Sequence, residues 1–138
     1  MSRKWLVVIT AFVLVGSVEA QKVERKTAPP TSPASGKEMY DAYCASCHGT
    51  DGRGHGPAAS ALKSVPTDLT TLAKQRGGTY PSLKVQHVIL ANVAPDSHGS
   101  REMPVWGPVF SAISNSQPSE IHQRAVNLAR YIGTLQEK

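Results

Sequence analysis

"YCASCHGTDGRGHG", residues 43–56, holds both cysteines of this 138-residue chain and two of its five histidines. Cys44 and Cys47 stand about one helical turn apart, and His48 follows directly. Upstream, Ser35 and Glu38 have the spacing of a capping box, so a helix is expected to begin near Gly36. On it Tyr40, Cys44 and Cys47 fall at i, i+4 and i+7, along one face. Downstream, Gly49, Gly52, Gly54 and Gly56 with Pro57 end that helix in a tight, irregular loop.

Several chemistries compete for "CASCH", residues 44–48. A disulfide between Cys44 and Cys47 closes a very short loop and stabilises little. A thioredoxin-type redox pair needs a strand-then-helix setting. A zinc site needs four ligands, and the chain has no second cysteine pair and no closely spaced histidine pair. Covalent haem attachment accounts for both the spacing and the order. Haem carries two vinyl groups on neighbouring pyrroles, and two thiols a helical turn apart can each add to one. A histidine just after the second thiol is then held under the iron, and the tether keeps the cofactor from dissociating.

The rest of the chain gives the setting. Residues 1–20 read as a secretory signal: Arg3 and Lys4 form a basic start, Trp5 to Val15 an apolar run, and Val18 and Ala20 suit a cleavage site. The run is shorter than the ~20 residues that cross a bilayer, with an uncleaved anchor as the alternative. The full chain has 15 basic and 10 acidic residues, a net charge of +5. Cleavage removes two basic residues and one acidic, leaving a modest positive balance. No dense basic run interleaved with aromatics occurs, so nucleic acid is not an expected partner.

Residues 21–35, with three prolines and no apolar period, read as a flexible tether. Residues 36–138 are then the folded domain, with a small core. "VPTDLTTLAKQRGG", residues 65–78, suggests a short helix ended by Gly77. "YPSLKVQHVILANV", residues 80–93, suggests another, started by Ser82 and turning Val85, Val88, Ile89 and Val93 inward. The last helix is the clearest: Pro118 and Ser119 open it, and Ile121, Ala125, Leu128, Ala129, Ile132 and Leu135 repeat at helical spacing. No convincing period-two strand occurs. The expected fold class is small and all-α.

With these residues the sequence resembles the class I c-type cytochromes over residues 36–136. Gly36 and Tyr40 match that family's first helix, and Leu128, Tyr131 and Ile132 match its last. The family crosses these two helices, with the glycine allowing close approach. The resemblance implies a fold of about four to five helices around one covalently bound haem c, held through Cys44 and Cys47 with His48 as proximal ligand. It implies that Pro57, in "GHGP", offers its carbonyl to the proximal imidazole N–H, a bond that fixes the tautomer. It also implies that "REMPVWG", residues 101–107, is the axial-methionine loop and Met103 the distal ligand. His98 is the rival in the same loop, and the Met-Pro pair favours Met103. Met39, five residues before Cys44 on the same helix, cannot reach the opposite haem face.

His55, His87 and His122 are expected at the surface. Trp106 is assigned to the haem environment, packed on the ring edge or donating its indole N–H to a propionate, with plain core packing as the alternative. Arg101 beside the ligand loop is a candidate for a propionate contact, with a solvated surface position as the alternative. The polar stretch "APDSHGSREM", residues 94–103, departs from the best-known members.

The expected function is that of an exported, periplasmic one-electron carrier of fairly positive potential, not an enzyme. The alternatives are a haem subunit of a larger dehydrogenase or terminal oxidase assembly, and a haem enzyme or gas sensor with an open distal site. Redox proteins are the expected partners; Arg53, Lys63 and Arg101 are candidates for attracting an acidic one, with scattered, solvated charges as the alternative.

Overall fold

The computed structural model describes residues 28–90 and 103–137. Val93, His98, Arg101, the signal segment 1–20 and the tether residues 21–27 lie outside these. Among the described residues there are five α-helices: α1 (Gly36–Tyr43), α2 (Ala45–His48), α3 (Ser82–Leu90), α4 (Trp106–Ile113) and α5 (Pro118–Thr134). Short 3₁₀ turns lie at Ala59–Ala61, Leu69–Thr71 and Lys74–Arg76, and no described residue is in a strand. No helix of the described residues is long and apolar enough to cross a membrane.

α1 starts where the capping spacing puts it. Ser35 Oγ accepts the Glu38 N–H at 3.2 Å, but the Glu38 carboxylate reaches past Ser35 to accept the Ser32 N–H, also at 3.2 Å. At its end Cys44 departs from the helical path, and the chain re-enters a helix as α2, stopped by Gly49 with φ +79°.

α5 is the backbone of the fold and packs on both α1 and α3, with α4 laid against α3 and α5. Its stripe behaves as the 3.6-residue period requires: Ala125, Leu128, Ala129 and Ile132 are buried, against Met39, Tyr40, Ile89 and Phe110. Where α1 crosses α5, a Cβ on Gly36 would overlap the Asn127 carbonyl oxygen and lie 2.8 Å from Tyr131 Cβ. Only glycine allows the helices this close. Tyr40 packs tilted against Tyr131 with ring centroids 5.2 Å apart and donates its hydroxyl to the Gly49 carbonyl at 2.7 Å. That bond ties the helix crossing to the end of the cysteine motif.

Three local expectations are corrected. The helix expected over residues 65–78 is two 3₁₀ turns, because Gln136 inserts its amide where the helical bond would close: Nε2 donates to the Leu69 carbonyl at 2.7 Å and Oε1 accepts the Ala73 N–H at 2.8 Å. Gly77 ends the second turn in the left-handed region, φ +67°. A helix not expected, α4, follows the methionine segment. Its Pro108 sits in the first turn, where the missing N–H has no helical acceptor to lose.

The third correction concerns the tether. Residues 28–35 are fixed against the helices: the carbonyls of Pro29, Thr31 and Pro33 accept from Tyr43, Arg124 and Asn127.

Candidate functional site

The loop after the motif folds back under it. Gly54 N–H donates to the His48 carbonyl at 2.8 Å, Gly56 N–H to Cys47 at 3.0 Å, and Ala58 N–H to Ser46 at 2.8 Å. Gly54 has φ +86°, and a Cβ there would overlap the Pro66 carbonyl oxygen. The glycine therefore lets residues 66 and 67 run close beneath the loop.

This approach brings the Thr67 carbonyl to His48. The imidazole Nδ1 lies 3.0 Å from Thr67 O, and since a carbonyl only accepts, Nδ1 carries the proton. Burial lowers the His48 pKa, while the bond to Thr67 pulls the other way. A neutral ring held by Nδ1–H leaves the Nε2 lone pair for a metal.

The expected role of Pro57 is thus corrected: the acceptor is Thr67. The loop spends its own amides on the α2 carbonyls, and Pro57 is left exposed at its outer end.

Both thiols are free, Cys44 buried and Cys47 half-buried. Burial, and then the neighbouring Cys47, push the Cys44 thiol up to about 12. Cys44, Cys47 and His48 line a cavity of about 550 Å³ that they share with Met103, Pro104 and Trp106. Leu69, Leu72, Val85, Val88 and Ile89 supply apolar walls, and Arg76 and Lys84 are its basic lining residues.

Trp106 opens α4 with its ring 5.1 Å from that of Tyr43 and 6.3 Å from that of Phe110. It thereby joins the methionine segment to the residue that precedes the first cysteine. Met39 is fully buried in the core, and its sulfur faces Arg124. His55, His87 and His122 are exposed. Among the described residues no three His, Cys, Asp or Glu side chains converge as a metal cluster. Arg53, expected as a docking charge, is held by Glu137 at 2.9 Å.

Several site residues escaped the sequence reading. Thr67 acts through its backbone, which no side-chain pattern announces, although Pro66 ahead of it fixes the chain's direction there. Ala28 and Pro29 also line the cavity, from a stretch whose composition reads as linker.

The donor set and the space fit haem. Two adjacent thiols, an oriented imidazole and a thioether border one mostly apolar cavity, within the ~300–1,000 Å³ usual for cofactor sites. Arg76 and Lys84 are suited to the carboxylates of the group. An all-α domain with this motif in such a cavity defines a haem-attaching, electron-transfer class of protein.

Compared with known proteins, residues 33–136 match the cytochrome c family, and the chain belongs to it. The chain is also 31% identical over 104 residues to cytochrome c-554(547) of Halothiobacillus neapolitanus, a match that covers 74% of this chain and 94% of that protein. No solved structure matches. The protein accordingly binds haem c covalently and transfers electrons.

Proposed function

We propose that the protein is an exported one-electron carrier whose haem iron is ligated by His48 and Met103 and which exchanges electrons with redox proteins of a respiratory chain. The observation that carries this reading is that Met103 lines the same cavity as Cys44, Cys47 and His48. When bound, the haem supplies the Fe(III)/Fe(II) couple. Cys44 and Cys47 supply the two thiols that become thioethers. His48 keeps its Nδ1 proton on Thr67, which orients the ring and makes Nε2 a firmer donor. The apolar walls keep water from the site and disfavour the extra positive charge of the ferric state, so the potential is fairly positive. The basic start and apolar run of residues 1–20 support export.

A reduced-minus-oxidised spectrum recorded with and without carbon monoxide tests the reading. A closed, six-coordinate iron leaves the reduced spectrum unchanged by the gas. A shift of the Soret band on adding it would reveal an open site and overturn the carrier reading.

A further inference from the structure

We infer that residues 29–33 form a strap whose Pro29 end, with Ala28, closes one edge of the haem pocket, and that Arg124, together with Tyr43 and Asn127, positions it. The segment "PPTSP" has no apolar side chain larger than proline with which to dock. It is held instead through its backbone, every second carbonyl taking one side-chain donor. Tyr43 Oη donates to Pro29 O at 2.7 Å, Arg124 Nη1 to Thr31 O at 2.9 Å, and Asn127 Nδ2 to Pro33 O at 2.9 Å. Thr31 Oγ1 adds contacts of 2.8 Å to the Tyr43 hydroxyl and 3.1 Å to Arg124. Three prolines restrict the free chain, so few bonds are needed to fix it.

Arg124 shows why the strap stays. Its guanidinium is a buried charge, with the residue only 3% exposed. Nε and Nη2 are satisfied by Ser114 and Glu120, at 3.0 Å to Ser114 and 2.8 Å in the ion pair with Glu120. Nη1 has Thr31 as its oxygen partner and otherwise faces the Met39 sulfur at 3.9 Å. Lifting the strap would leave a charged donor buried without an oxygen acceptor, which is costly. The same Tyr43 that holds Pro29 stands next to Cys44 and packs tilted against Trp106. Ala28 and Pro29 complete the edge by lining the cavity beside Cys44 and His48. The strap therefore excludes water from the haem at that edge and is part of the cofactor site.

The test uses the full-length holoprotein and two substitutions. Arg124→Lys keeps a cation for Glu120 but lacks the fork that reaches Thr31. Tyr43→Phe keeps the ring contact with Trp106 and removes the hydroxyl. Deuterium uptake is followed over residues 28–35, where Thr31, Ser32, Ala34 and Ser35 carry the reporting amides, with residues 82–90 as the fold control. The midpoint potential is measured on the same samples. Loss of a bond to a charged or buried group should speed uptake in the strap about tenfold or more, leave residues 82–90 unchanged, and lower the potential as water gains the haem edge. Uptake that is unchanged, or that rises equally in both segments, overturns the positioning role. Faster strap uptake at an unchanged potential overturns its place as a wall of the pocket. Should Arg124→Lys yield no holoprotein, Tyr43→Phe decides alone.

Discussion

Replacing Cys44 and Cys47 together by alanine should remove more than the cofactor. Without covalent attachment, the cavity of about 550 Å³ has nothing to fill it. Unfilled apolar volume costs roughly 24 cal/mol per Å³ when closed and dry, so the whole cavity sets an upper bound of ~13 kcal/mol, which collapse and entering water reduce. Collapse or flooding of half of it would still leave a cost of ~7 kcal/mol by the same coefficient. A domain of this size has a total stability of about 5–15 kcal/mol. The helices that line the space, α3 and α4 above all, should therefore not hold their places in the haem-free chain. The assay is circular dichroism of the double variant, purified free of haem, beside the holoprotein. The expected result is a large loss of helical signal and no cooperative thermal transition. A haem-free variant with the holoprotein's helicity and a cooperative melt within about 10 °C of it would refute the reasoning, since each kcal/mol moves the midpoint by roughly 4–8 °C at this size.

Other outcomes follow from individual contacts. Gly36→Ala places a methyl against the Asn127 carbonyl and Tyr131; at about 2–3 kcal/mol for such overpacking, the melting temperature should fall by roughly 10 °C or more, and a fall of under about 3 °C would mean α1 and α5 separate easily. The Ser114 hydroxyl, and then Arg124, hold the Glu120 carboxyl below its ordinary value of 4.5. A depressed carboxyl stabilises the fold fully above the ordinary value and loses that contribution as pH falls through the lowered one. The melting temperature should therefore fall on acidification below about 4.5, and fall less in Glu120→Gln; an equal fall in the wild type and the variant would contradict this. In the chain without residues 1–20, Trp106 is the one tryptophan; its emission should be strongly quenched in the holoprotein and recover in denaturant, and bright native emission would put it away from the haem.

The sequence revealed those parts of the fold whose signal is carried by neighbouring side chains. The stripe of α5, the cap at Ser35, and the thiols with their histidine all lie within a few turns, where helical periodicity and motif spacing apply. Contacts made by a distant partner were hidden. Gln136 decides that residues 69–76 form 3₁₀ turns from more than sixty positions away. Composition made residues 28–35 look like a linker, because their partners, Arg124 and Asn127, are over ninety residues on. Arg124 nevertheless had a local signal: it falls on the apolar stripe between Ile121 and Leu128, four residues after Glu120, where a lone solvated charge does not belong. The sequence points to Pro57 as the partner of His48 because a carbonyl acceptor leaves no trace in residue type. Thr67 fills that role through backbone geometry created by Gly54.

The most direct test of His48/Met103 ligation is the near-infrared absorption of the ferric holoprotein, compared among the wild type, Met103→Ala and His98→Ala. Thioether ligation gives a weak sulfur-to-iron charge-transfer band. The account expects that band in the wild type and in His98→Ala and its disappearance in Met103→Ala, which should also begin to bind carbon monoxide when reduced. A wild type without the band, or an iron opened by His98→Ala and left closed by Met103→Ala, would contradict it.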